Sequence, residues 1–260
     1  MEPIMGNPSF DISSLQDFKP AKAHCQKCYG LHKVIPQNKK QQIQCQICGV
    51  QYVVQGHSQI EKFRSHFKKR DLYIELNDNV KHIERLGSIA SRLRQYKPDY
   101  SPINGLLEGL NQAQNFVHFT TFGTCKEILG YLKYAAQKVK VRGIVSIPSN
   151  QENWLLPELE NYKNEAPNLE IRIVRSSNWQ QLPHQKLLVI DGLVAFTGGA
   201  NLTLTGWRKA SRGYDRVEVI TDLDKVIELH NRLFSPRWAE LSNYGDTIAI
   251  GNELIDDNAA

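Results

Sequence analysis

Six residues between positions 184 and 201 could do chemistry together: His184, Lys186, Asp191, Gly198, Gly199 and Asn201. They are spaced H-x-K-x4-D-x6-G-G-x-N within HQKLLVIDGLVAFTGGAN. An imidazole is a nucleophile and proton carrier near neutral pH. A lysine ammonium and an asparagine amide hold oxygens that bear negative charge. Paired glycines let a backbone come close to a ligand. The set suits attack on the phosphorus of an anionic phosphodiester.

These residues need a scaffold that brings both ends of the stretch together. Apolar Leu187 to Ile190 and Val194 flank Asp191-Gly192. Asp-Gly between apolar runs predicts a β-hairpin, because both central positions accept positive φ. Side chains two apart leave one face of a strand together, so His184 and Lys186 are expected side by side. The returning strand brings Gly198, Gly199 and Asn201 back toward His184.

With its Asp, apolar strand and GGxN tail, this HxK pattern resembles the HKD motif of the phospholipase D superfamily, over roughly residues 102–242. The family usually has Ser where this chain has Gly199, so a backbone N–H is expected to replace one hydroxyl contact to phosphate. Family members also place a carboxylate after the Asn to orient the histidine. Asp215 and Glu218 are the candidates in GYDRVEVI, and Asp215, which opens the apolar strand, is favoured. Asp191 belongs to the motif but is expected to fix the turn. Arg208 and Lys209 follow the GGAN segment and are candidate phosphate contacts with Trp207; Arg212 is another.

The surrounding chain alternates strand and helix. Helices are expected at 103–113, 124–138, 152–164 and 223–241. Strands are expected at 115–121, 141–147, 169–175 and 215–221, with the hairpin at 185–197 and a short turn or helix at 201–209. This order implies an α/β sandwich around a mixed sheet, with the site at strand termini along one edge. His118, near the end of the first of these strands, either lines the cleft or sits in the core. Trp179 is expected in a loop at the lip of the site.

A second kind of chemistry lies upstream. Cys25 and Cys28 form one CxxC pair, and Cys45 and Cys48 another. Two such knuckles imply four thiolates around one structural zinc per chain. The stretch resembles a zinc ribbon, and Gly30 and Gly49 are expected at the knuckle turns. Cys125 is expected in the core. A capping box, Ser58 and Glu61, opens an amphipathic basic helix, and a second amphipathic helix covers 78–96 with Arg85, Arg92 and Arg94 on its charged side. A short strand is expected at 71–76. The first helix holds another HxK, His66 and Lys68, but Tyr73 stands at the aspartate position and no GGxN follows, so it is not a second catalytic half.

The division expected is a lead-in at 1–19, a zinc ribbon at 20–56, a basic helical segment at 57–101 and an α/β domain at 102–260. Residues 20–97 contain 15 Lys and Arg against 5 Asp and Glu, a formal +10 in a chain of +5. That half offers an electrostatic handle for a polyanion, which four thiolates would only partly offset. No apolar run spans a bilayer and the N-terminus lacks the pattern of a signal peptide, so a cytosolic protein without membrane contact is expected.

The resemblance implies two histidines, one attacking phosphorus and one protonating the leaving oxygen, and no catalytic metal. This chain has one usable copy, so a homodimer is expected to supply the second. A nuclease acting on DNA or RNA is the leading reading, with other proteins of a defence complex as partners that the sequence does not show. A lipid phosphodiesterase and a binding module with an attenuated site are the alternatives.

Overall fold

The computed structural model describes residues 21–25, 27–34, 41–54, 72–76, 80–94, 100–148, 152–176, 178, 180, 182–241 and 247–249. The capping box, the first basic helix with His66 and Lys68, and Trp179 lie outside them. The chain divides into two units: residues 1–83 with 230–240, and residues 84–229 with 241–260.

In the first unit, β1 (Ala21–Cys25) pairs antiparallel with both β2 (Leu31–Val34) and β5 (Leu72–Leu76), and β3 (Gln41–Gln44) forms a hairpin with β4 (Gln51–Val54). Each CxxC pair sits where one of these strands turns. The left-handed residue of the first knuckle is Tyr29, φ 56°, and not Gly30; the second uses Gly49, φ 73°. The geometry explains the shift. In each knuckle the residue after the second cysteine returns its N–H to the first cysteine's carbonyl, Tyr29 to Cys25 at 2.6 Å and Gly49 to Cys45 at 2.8 Å. Residues 230–240 complete this unit: Asn231 accepts from the Leu31 N–H and donates to the Leu31 carbonyl, both at 2.7 Å. Trp238, fully buried, meets the Tyr29 ring edge-on at 5.9 Å.

The second unit is built on a seven-stranded mixed sheet among the described residues. Its strands are β6 (Phe116–Phe122), β7 (Lys140–Pro148), β8 (Leu169–Ser176), β9 (Leu187–Ile190), β10 (Val194–Gly198), β11 (Val217–Ile220) and β12 (Thr247–Ala249). The order is β11-β10-β9-β6-β7-β8-β12. β6, β7, β8 and β12 run parallel, and β9, β10 and β11 form an antiparallel meander on β6. Helices α1 (Val80–Arg94), α2 (Pro102–Gln112), α3 (Lys126–Ala136), α4 (Glu152–Glu165) and α5 (Leu204–Ser211) punctuate the strands. Across the β6–β7 pair Phe119 lies opposite Gly143, where a Cβ would overlap the phenyl ring. Phe119 and Ile144 are among the fully buried side chains of the core.

The expected α/β architecture is the one observed, with one difference in its last helix. The last helix is broken into α6 (Leu223–Leu233) and α7 (Ser235–Leu241). Pro236 explains the break, since it lacks an N–H and tolerates only a first helical turn. Arg92, on the charged side of its helix, is paired with Glu108 and lies 4.2 Å from the Tyr100 ring centre. No helix among the described residues is long and apolar enough to cross a membrane.

Candidate active site and zinc cluster

The hairpin turn forms as its sequence demands. Asp191 and Gly192 take φ of 53° and 63°, and Ile190 accepts the Leu193 N–H at 2.9 Å, a primed turn matched to the strand twist. Asp191 is wholly buried there. Its Oδ1 accepts the N–H groups of Asn115 (2.8 Å) and Phe116 (2.9 Å), and its Oδ2 that of Gln114 (2.9 Å). The carboxylate therefore ties the hairpin to the start of β6, at the opposite end of the hairpin from His184.

At the other end the candidate residues collect. His184 and Lys186 lie in the extended segment just before β9, not on the strand itself. His184 is exposed, and its ring stacks on Phe122 at the end of β6, with centroids 4.2 Å apart and planes inclined by 16°. The Lys186 ammonium donates to the His184 carbonyl at 2.7 Å, which folds the lysine side chain back onto that residue's backbone. Thr197 Oγ1 donates to the Lys186 carbonyl at 2.9 Å and so staples the segment to β10. Burial holds the Lys186 ammonium below the ordinary lysine pKa, while the Asp215 charge works in the opposite direction.

The GGAN segment arrives from the neighbouring strand. Gly198 has φ 140°, and a Cβ there would strike the Arg216 carbonyl, so only glycine fits. The Gly199 N–H is committed to the Arg216 carbonyl at 2.9 Å. It is therefore used within the sheet, because β10 and β11 extend their ladder through it. A side chain at Gly199 would overlap the Asp215 carboxylate, which fills that space. Asn201 is partly buried, and its Oδ1 is buried without a hydrogen-bond partner. Beyond it, the Leu202 N–H donates to Thr121 Oγ1 at 2.9 Å and Thr124 Oγ1 donates to the Leu202 carbonyl at 3.1 Å. These bonds pin the segment to the end of β6. Beneath, among Lys186, Thr197, Ala200 and Leu202, a cavity of about 20 Å³ has room for about one water.

Other candidates are placed differently. Asp215 lies against Gly199, accepts the Arg216 N–H at 2.7 Å and acts electrostatically on Lys186. Arg208 and Lys209 are exposed on the last turn of α5. Trp207 does not face a phosphate: it is buried, 5.7 Å from Phe196 between ring centres, because α5 turns this position toward the sheet. His118 is wholly buried in mid-strand beside Phe116 and does not line the site. Cys125 is partly buried at the start of α3 and packs against the core. Sequence reasoning missed Phe122 and the threonines at 121, 124 and 197. Phe122 sits far from the motif in sequence, and only the β6–β9 pairing brings it to the imidazole.

In the first unit the sulfurs of Cys25, Cys28, Cys45 and Cys48 lie within 4.8 Å of one another, with Cys25–Cys48 and Cys28–Cys45 each at 3.5 Å. A Zn–S bond of about 2.3 Å places tetrahedral ligands about 3.8 Å apart, so the cluster fits one zinc. The crowded thiols, Cys25 foremost, push Cys45 up to about 11 and Cys28 well above the usual thiol range. Such a cluster holds its protons until a cation displaces them. The four donors close the shell, which suits a structural ion.

The family model for the phospholipase D-like domain of cardiolipin synthase matches residues 106–238. Among solved structures, NucT from Helicobacter pylori superposes with a TM-score of 0.40 at 18% identity, covering 59% of this chain and 91% of that one. Nuc from Salmonella typhimurium, a phospholipase D family member, gives 0.41 at 21% identity, covering 53% and 84%. TrmBL2, an archaeal chromatin protein, gives 0.36 at 17% identity, covering 72% and 71%. No curated protein matches the sequence. The matched span takes in just over half of the residues, and it holds His184, Lys186, Asp191, Gly198, Gly199, Asn201 and Asp215. The chain therefore belongs to the phospholipase D-like family.

Proposed function

We propose that this protein hydrolyses the phosphodiester bonds of nucleic acid, DNA or RNA, through a covalent histidine intermediate in a homodimeric site. One observation carries the reading. An exposed imidazole, an ammonium bonded to that histidine's own backbone, and an unpartnered buried amide oxygen meet at one end of the hairpin. His184 attacks phosphorus, a P–N bond forms, and the P–O bond to the leaving group breaks. The same histidine of a second copy gives its proton to the departing oxygen. Water then attacks the phosphohistidine, that second imidazole takes the water's proton, and the P–N bond breaks. Lys186 offsets the charge on the non-bridging oxygens. Asn201 positions the phosphate through its amide. Asp191 serves the turn, and Asp215 holds charge beside Lys186. Arg208 and Lys209 contact phosphates further along the strand.

The test is cleavage of single- and double-stranded DNA and RNA in EDTA by the wild type and His184→Ala, with the mass in solution measured on both. Cleavage lost in the variant, from a dimeric wild type, supports the reading. An active monomer overturns the shared site. A second reading draws on the Gly199 position: with its N–H tied to Arg216 and its side-chain space filled by Asp215, the site grips phosphate without turnover. Nucleic-acid binding by His184→Ala, beside a wild type that cleaves neither nucleic acid nor bis(p-nitrophenyl) phosphate, would favour that binding module.

A further inference from the structure

Between α5 and β11 the chain reads RKASRGYDR, residues 208–216. Arg208, Lys209, Arg212 and Arg216 are all exposed. Among them stands Tyr214, 81% exposed, where the next most exposed large apolar side chain among the described residues, Tyr134, reaches 51%. The ring is not on a loose loop. The Arg212 N–H donates to the Arg208 and Lys209 carbonyls, that of Gly213 to Ala210 at 3.1 Å, and that of Tyr214 to Lys209 at 2.9 Å. Gly213 takes φ 78°, which lets the turn close. The turn also borders the site. Asp215, next in the chain, lies against Gly199, and the Arg216 carbonyl accepts the Gly199 N–H.

An aromatic ring left in water on a fixed turn, ringed by cations, matches what a single nucleic-acid strand needs. Unpaired bases stack on aromatic rings, and arginines hold the adjoining phosphates. A base inside a duplex has no free face to offer. We propose that Tyr214 is a stacking platform for an unpaired nucleobase next to the scissile phosphate, with Arg212 and Arg216 on the flanking phosphates, so that the site selects single strands. This rests on the nucleic-acid reading given above. A second copy seated on the ring is the rival occupant. β11 is an edge strand, but Arg216 and Glu218 form an ion pair along it, and charged side chains oppose strand-to-strand addition.

The experiment measures binding, so it does not depend on turnover. In a His184→Ala background, fluorescence anisotropy compares a labelled single-stranded oligothymidylate, the same strand in a duplex, and a strand with abasic sites in place of its central bases. Tyr214→Ala is expected to weaken the intact single strand about tenfold, the size of one lost base stack. Tyr214→Phe is expected to stay within about twofold. Abasic sites should cost the tyrosine protein about tenfold and the alanine variant almost nothing, a pattern that a merely structural tyrosine would not produce. Equal binding of all strands by Tyr214→Ala and its parent overturns the stack while leaving nucleic-acid binding intact. Tighter binding of duplex than of single strand overturns it as well. A shift from dimer to monomer in Tyr214→Ala assigns the ring to the second copy and overturns it. Absence of binding to any strand removes both the stack and the nucleic-acid reading.

Discussion

Replacing Asp191 separates the two roles a motif aspartate can have. Its carboxylate accepts three backbone N–H groups: Asn115 and Phe116 on Oδ1, Gln114 on Oδ2. Asparagine keeps the shape and tolerates the left-handed backbone of φ 53°. It also keeps an oxygen for Asn115 and Phe116, so only the Gln114 contact is lost, and there an amide NH₂ faces an N–H. One charge-assisted bond and its donor are worth about 2 kcal/mol. At about 2–4 °C per kcal/mol for a domain of this size, Asp191→Asn should melt about 6 °C lower. Alanine strips all three bonds, with Phe116 in particular buried, and adds a left-handed penalty of about 1 kcal/mol; at the same cost per bond the sum is about 7 kcal/mol. The assay is a thermal melt paired with turnover of bis(p-nitrophenyl) phosphate, measured well below the transition. Asp191→Asn should turn over at the wild-type rate per folded molecule. A variant that melts like the wild type but has lost its turnover would refute the argument, because Asp191 would then act in the chemistry and not in the turn.

Two more outcomes follow from the geometry. Because burial depresses the Lys186 pKa and Asp215 partly restores it, the ammonium is lost at lower pH than in free lysine. The alkaline limb of kcat/KM should therefore fall below the usual lysine range, and in Asp215→Asn it should move lower still; a limb that stays or rises refutes the coupling. The same depression means the unfolded chain holds this proton more tightly, so the Lys186 contribution to stability rises with pH between its folded pKa and the ordinary lysine value. For the cysteine cluster, one zinc per chain is expected by elemental analysis. Its release by a mercurial should erase the near-ultraviolet dichroism of the Tyr29–Trp238 pair, and a full signal after complete release would argue against a structural ion.

Features coded by neighbouring residues were legible beforehand. The Asp191-Gly192 turn, the alternation of strand and helix and the two CxxC pairs each depend on local backbone preference or short spacing, and each appears where expected. Features that depend on distant pairing were not. Phe122 meets His184 only because β6 lies against β9, and Asp215 reaches Gly199 only because β11 lies against β10. Trp207 was read as a candidate phosphate contact because it follows the GGAN segment, at the end of a short turn or helix expected at 201–209. The helix begins at Leu204, which turns the indole inward. The partner of the first knuckle's strand, β5, lies dozens of residues downstream, beyond the reach of any periodicity.

The Asn231 clamp on Leu31 has a consequence for biosynthesis. Both backbone groups of Leu31 wait for an amide 200 positions later in the chain. At about 5–20 residues per second, a ribosome needs roughly 10–40 seconds to supply it. Throughout that interval the nascent strands around the first knuckle lack the amide that clamps Leu31 and the indole that meets Tyr29, so a segment made early is finished late.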